Sequence, residues 1–461
     1  MAQLKQFNKL AYTSLDDFIF GKALHPVTLK NGMVIGGGEV YPEINFTLPP
    51  MLITEETMPE VLQHYKDMIT GISERAVSLH VPGFVAEVEL LPPCTWHVDW
   101  GVAVTQTLLE TMRTFSDKYG IKTALRTTVI DVREGRNLKH MYEGKEWENV
   151  LSAFSENAKA GADLLAIESI GGKEVHDEGN MYCDLRKTVY ALGVLGVSDM
   201  HKLWTEVSRI AGETGSIASG DTACGFANTA MVLADRKFIP RVFSAVDRVV
   251  SAVRSLAAVE AGAVGPDKDC GYEGVYLKAI TGIPVSMEGR TSAVAHLSPV
   301  GNVAACVADL WSNESVQQIK LLGGFAPTVS MEQLAYDCRL FNQASKRGPE
   351  TALLLRDLHA DSDSVYDPQA YVLRPDVVFD LAAKIAADTN GPLSRSKTAA
   401  RVTLEALRKA HTDKKLQLEE REYEWLDRLD EQLETIPDDP AAFTEEMKDE
   451  SEAFDAAIYG L

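Results

Sequence analysis

The chain has 461 residues, 45% hydrophobic and 24% charged, ordinary for a soluble globular protein and long enough for a large core. Its formal net charge of −22 disfavours nucleic acid and anionic membranes as partners. The opening Met1-Ala2-Gln3-Leu4-Lys5-Gln6-Phe7-Asn8 lacks the apolar core of a secretory signal. The most apolar stretch, 242–265, is interrupted by Asp247, Arg248, Arg254 and Glu260, so no membrane span is expected.

Residues 1–60 mix short runs with Gly32, Gly36-Gly37-Gly38 and Pro49-Pro50, and read as an N-terminal arm with one hairpin, packed on the main body of the chain. From about residue 60 strand and helix patterns alternate. Apolar, β-rich runs fall at 83–91, 124–132, 164–170 and 216–223, then at 257–264, 283–287 and 319–322. Helical patterns lie between them: 146–160, 203–211 after a Ser198 cap, and 241–256. The last carries Val242, Val246, Val249, Val250, Val253 and Leu256 on one stripe. Strands alternating with helices imply βα units and a parallel sheet.

No G-x-G-x-x-G follows the first strands, so a dinucleotide fold lacks its signature. Seven strand candidates over this span suit a (β/α)8 TIM barrel, placed at 61–345. Glu87 and Glu89 share one face of the first run, which suits a polar barrel interior; an edge strand is the competing reading. Residues 346–461 read as a C-terminal helical extension, with helices at 376–388 and 397–433. From Glu419 onward sixteen Asp or Glu face three Lys or Arg. This acidic tail reads as a solvated charged surface, its last twenty residues ordered in part by a partner.

The six cysteines, Cys94, Cys183, Cys224, Cys270, Cys306 and Cys338, are sparse and form no C-x-x-C pair. They do not make a disulfide framework, and reduced thiols in a cytoplasmic protein are expected. Three residues follow strand-like runs in LLAIE168SIGG, SGDTAC224GF and PDKDC270GYEG. Catalytic residues of a parallel barrel sit at such C-terminal strand ends. Glu168, Cys224 and Cys270 would supply one carboxylate and two thiolates to zinc, leaving its fourth position open to substrate. Against this, an isolated cysteine is most often a small buried hydrophobe, and Glu168 could be half of a salt bridge. Gly225 and Gly271, directly after the cysteines, would allow unusual backbone dihedrals at a crowded site. A rival C-x-x-H pair, Cys94 and His97, is flanked by Asp99 and by Trp96 and Trp100, whose packing explains the segment equally well.

At these residues the chain resembles the methanol:corrinoid protein methyltransferases. GDTACGFAN, DKDCGYEG and LLAIESIGG are similar to that family's zinc-site segments, and the resemblance covers nearly the whole chain. It implies a TIM barrel and one Zn²⁺ per chain held by Glu168, Cys224 and Cys270. It also implies methanol as substrate and a methanol-specific corrinoid protein as partner, the two forming a dimer of heterodimers. The expected activity is transfer of the methyl group of methanol to the Co(I) corrinoid carried by that partner, in methanol metabolism such as methanogenesis or acetogenesis. Asp221 and Asp269 are the candidate proton donors to the departing hydroxide, with His97 and Asp99 weaker ones. The alternatives are a related methyltransferase for another methyl donor, such as a methylamine, and a silent scaffold for a corrinoid protein.

Overall fold

A computed structural model describes residues 4–135 and 138–461, so the first three residues of the expected arm lie outside the described residues. The arm forms the expected antiparallel hairpin, β1 (Lys22–Thr28) and β2 (Val34–Gly37). The same segment continues into β3 (Tyr41–Thr47), a central strand with parallel neighbours on both sides. β4 (Gly83–Glu89), β5 (Lys122–Ile130), β6 (Leu164–Glu168), β7 (Ile217–Asp221), β8 (Ser286–Glu288) and β9 (Leu310–Val316) come next. They form one sheet in the order β7-β6-β5-β4-β3-β9-β8.

The eighth place is filled by an irregular segment, residues 263–267. Its Val264 and Gly265 N–H groups donate to Ala218 O and Ser219 O of β7, each at 2.9 Å. On the other side Asp267 Oδ1 accepts from Ser286 N of β8 at 3.1 Å. The curled sheet is thereby closed, and the (β/α)8 barrel expected from the sequence is present. β7 makes room by a bulge: Leu165 pairs with Ala218 but Ala166 with Gly220, so Ser219 is the extra residue.

Two expected strands are corrected. The first half of the run 257–264 is helix, because the helix Arg241–Glu260 continues its apolar stripe for another turn. The run 319–322 contributes only β10 (Lys320–Leu321), which pairs with β11 (Gly324–Phe325) as a small hairpin outside the barrel. The barrel strand in that region is β9, whose sequence LWSNESV has no apolar run because its inward side chains are polar. Ser198 lies inside the helix Val197–Thr214 and does not cap it. The long charged helix is two, Pro392–Thr412 and Glu420–Glu434. The acidic tail is ordered by the chain itself. Its helix Pro440–Glu450 buries Phe443 and Met447, and Arg186 pairs with Glu446 at 2.7 Å.

The barrel interior is polar where many barrels are packed with branched apolar side chains. Arg126 of β5 is fully buried. It binds Glu43 Oε1 of β3 at 2.7 Å, Ser219 Oγ at 2.7 Å and Pro266 O at 2.9 Å, joining strands on opposite sides. Glu87 accepts from Thr128 Oγ1 at 2.6 Å, which places the Glu87 and Glu89 face inward as the alternation implied.

Candidate metal centre

Glu168 is the last residue of β6, and Cys224 follows β7 by three residues, opening a π-helical turn over Cys224–Asn228. Such turns recur at functional sites. Cys270 lies just beyond the closing segment 263–267. All three therefore reach the C-terminal mouth of the barrel, with one ligand atom of each within 4.8 Å of the others. Cys270 Sγ lies 3.3 Å from Glu168 Oε1.

In this structure Cys224 and Cys270 are joined as a disulfide, their Cα atoms 5.7 Å apart. This corrects the expectation of six reduced thiols; Cys94, Cys183, Cys306 and Cys338 are free and buried. Disulfide and dithiolate are two oxidation states of one pair, and only the deprotonated, reduced pair binds metal. Reduced, two sulfurs and one carboxylate oxygen are a donor set that fits zinc.

The cysteine loops are fixed by groups that local sequence patterns did not single out. Asn228 Nδ2 donates to Cys224 Sγ at 3.4 Å and to Cys270 O at 2.7 Å, so one amide spans both cysteines. Its Oδ1 accepts from buried Arg248 at 2.7 Å. Arg254, one and a half turns further along the same helix, donates to Ser169 Oγ at 2.7 Å and to Thr222 O at 3.3 Å. Glu273 Oε1 accepts from Ala223 N at 2.5 Å. Thus two of the charges that interrupt the apolar stretch 242–265, Arg248 and Arg254, are buried braces behind the cysteine loops, whereas Asp247 pairs with His176 and Glu260 with His201 and Arg395. Gly271 is required for space, since a Cβ there would collide with the Thr222 side chain. Gly225 has ordinary room, and neither glycine has positive φ. What the site requires of these glycines is close approach at Gly271, not unusual dihedrals at either.

Beside the ligands lies Lys268, with 1% of its side chain exposed. Its Nζ is 3.0 Å from Glu168 Oε1, 2.8 Å from Glu89 Oε1, 3.2 Å from Glu87 Oε1 and 3.0 Å from Asp269 Oδ1. Burial pulls its ammonium down, but Asp269, Glu87, Glu89 and Glu168 outweigh this and hold it well above its usual range. Enclosure pushes the Glu168 carboxyl up to about 7 against the pull of Lys268.

The two acid candidates occupy different settings. Asp269 is buried; Lys268 and a 2.8 Å hydrogen bond from Ser312 Oγ overcome its burial and hold it below the usual carboxylate range. Asp221 faces away from the three donors. Its carboxylate accepts from Ser169 N at 3.3 Å and Trp204 Nε1 at 3.4 Å, and burial pushes it up to about 6. His97 and Asp99 are exposed, and the His97 ring stacks on Trp100 at 4.1 Å. Cys94 and His97 fall in no metal-binding cluster among the described residues. A second cluster, Glu288, His296 and Glu314, stands at the ends of β8 and β9. No helix among the described residues is long and apolar enough to cross a membrane.

Residues 4–460 match the family model of the methanol-cobalamin methyltransferase B subunit. The chain is 37% identical over 464 residues to the methanol–corrinoid protein co-methyltransferase of Methanosarcina barkeri, covering 99% of each. Its fold superposes with a TM-score of 0.94 on a chain of the methanol:cobalamin methyltransferase complex MtaBC from the same organism, at 37% identity. That match covers 99% of this chain and 100% of the other.

Proposed function

The chain belongs to the methanol-cobalamin methyltransferase B subunit family, and from that premise we propose that it is a zinc-dependent methanol:corrinoid protein methyltransferase. The observation that carries the reading is the convergence of Glu168, Cys224 and Cys270 at the barrel mouth. The reaction passes the methyl group of methanol to the Co(I) corrinoid of a partner protein. The cobalt electron pair forms the Co–C bond, the C–O bond breaks toward oxygen, and one proton completes water.

Glu168, Cys224 and Cys270 would hold the zinc, which when bound would supply Lewis acidity toward the alcohol oxygen. Glu168 and the two thiolates carry three negative charges against the ion's two positive ones. A donor set of that charge would acidify an alcohol less than three neutral imidazoles would, and so would favour neutral methanol with an electrophilic methyl group. Asp269, in the ligand pocket but held ionised, and Asp221, behind it, are proposed to pass a proton to the departing hydroxide by relay rather than as resting acids facing it. Asn228, Arg248 and Arg254 hold the ligand loops still while the corrinoid approaches from the solvent side. The assembly is proposed to be a dimer of heterodimers in the cytoplasm.

The deciding experiment measures zinc content and methanol-dependent methylation of cob(I)alamin in the reduced wild type and in Cys224→Ala. One zinc per chain with activity is expected, and both should fall together in the variant. Active zinc-free wild type would overturn the mechanism. Near-normal turnover of both Asp221→Asn and Asp269→Asn with zinc bound would remove these two as proton donors.

A further inference from the structure

Glu288 ends β8, His296 directly follows the helix Arg290–Ala295, and Glu314 lies on β9. One donor atom of each lies within 4.8 Å of the others, close enough for one ion to engage all three. The C-terminal strand ends are where a barrel of this kind carries its functional groups. Glu314 is two residues beyond Ser312, whose hydroxyl donates to Asp269 at 2.8 Å, so the cluster stands one step nearer the solvent along β9.

This cluster is short of positive charge. Glu288 is buried, and among the described residues the ion pairs of Glu288 and Glu314 are both with His296, at 3.4 Å and 3.7 Å, and none is with Lys or Arg. A buried carboxylate without a counter-charge is costly. A proton on the imidazole answers one of the two negative charges, whereas a divalent ion answers both. His296 Nδ1 is buried and has no hydrogen-bond partner, although Glu288 Oε2 is 3.4 Å away. The surroundings hold the donors in place. Tyr272 donates to Glu288 Oε2 at 3.1 Å, and Ser292 Oγ, on the helix that leads to His296, accepts from Glu314 N at 2.8 Å. Outer partners of this kind orient metal ligands.

We propose that Glu288, His296 and Glu314 form a second divalent-cation site at the barrel mouth, separate from Glu168, Cys224 and Cys270. Two carboxylates and one imidazole, with no thiolate, suit a first-row ion that favours oxygen and nitrogen donors, such as Mn²⁺. The ion would tie the end of the helix Arg290–Ala295 to β9. His296 and Glu314 are partly exposed, so its remaining positions would face the mouth. The site stands whether or not the zinc reading above holds.

The test titrates the diamide-oxidised protein with Mn²⁺ and follows it by EPR, because Cys224 and Cys270 joined as a disulfide offer no thiolate. A single tight Mn²⁺ per chain should bind. Its pulsed EPR spectrum should show ¹⁴N modulation, since His296 supplies a nitrogen donor and Glu168, Cys224 and Cys270 supply none. His296→Gln should abolish the modulation. His296→Gln and Glu314→Gln should each weaken Mn²⁺ binding at least about tenfold, the loss that even an outer partner of a ligand can cause. Both positions are partly exposed, so these variants should keep the fold, which circular dichroism checks. Glu168→Gln should bind Mn²⁺ as the wild type does. No bound Mn²⁺, bound Mn²⁺ without ¹⁴N modulation, or unchanged affinity in both His296→Gln and Glu314→Gln would overturn the proposal and leave the zinc reading untouched. Loss of binding in Glu168→Gln with binding kept in His296→Gln would place the ion at the other centre and overturn it as well.

Discussion

The hydroxyl of Tyr459 accepts a 2.8 Å hydrogen bond from the main-chain N–H of Gly172, four residues beyond Glu168. The same hydroxyl lies 3.3 Å from Glu174 Oε2, to which it donates. The acidic C-terminal segment thus braces the loop that follows a proposed metal ligand. Tyr459→Phe leaves the Gly172 N–H without its acceptor, which costs about 1–3 kcal/mol. Hydrogen exchange should show faster opening of residues 170–175 by that amount, with the barrel strands unchanged. Unaltered exchange there would show that the contact does not stabilise the loop.

Arg126 and Glu43 form a fully buried pair inside the barrel. Arg126→Met strands Glu43 in the interior and should lower the unfolding free energy by about 3–5 kcal/mol. The double variant Arg126→Met/Glu43→Gln removes the stranded charge and should recover part of the loss. Urea unfolding of the three proteins checks the order; equal stability of the single variant and wild type would contradict it.

The oxidation state of the Cys224–Cys270 pair should control metal uptake. After reduction the chain should take up one zinc, and the metal should shield two thiols from a thiol reagent. After oxidation with diamide, zinc uptake should be lost and return on reduction. Cys270→Ser should lower zinc affinity by orders of magnitude in reducing buffer. Equal zinc uptake by the oxidised and reduced proteins would place the metal elsewhere.

His296 sits between Glu288, 3.4 Å away, and Glu314, 3.7 Å away. The close Glu288 carboxylate, with Glu314 further off, raises its imidazole from 6.5 to about 9 against the effect of partial burial. A raised folded-state value means that the stabilisation is fully present below pH 6.5 and is lost as pH rises through 9. Glu314 is raised to about 7 by burial and by Glu89, Asp269 and Glu288, so its contribution declines earlier, as pH rises from 4.5 to 7. Unfolding free energy should therefore fall between pH 6.5 and 9 in the wild type, and His296→Gln should flatten that fall. Identical pH profiles would exclude the imidazolium from stability.

The strand ends at 164–170 and 216–223 were legible because an apolar run bounded by Gly and polar residues is a local signal. Glu168 and Cys224 could be read directly from their positions after those runs. Cys270 was legible as a residue type, but half of the strand expected before it was helix, and its place at the mouth comes from the segment 263–267. β9 was missed for a related reason: a strand lining a polar interior presents Ser312 and Glu314 inward and has no apolar alternation to detect.

The sequence by itself determined the barrel class and pointed to Glu168, Cys224 and Cys270 at its C-terminal mouth, since each depends on residue type and short-range pattern. Only the tertiary structure decided how the barrel closes, that Lys268 reaches Glu168, and that Asn228, Arg248 and Arg254 brace the ligand loops. Such partners lie far apart along the chain, Arg254 and Ser169 by 85 residues and Lys268 and Glu89 by 179. A buried charge is stable only beside its counter-groups, and which groups those are is fixed when the strands come together, not by the neighbours along the chain.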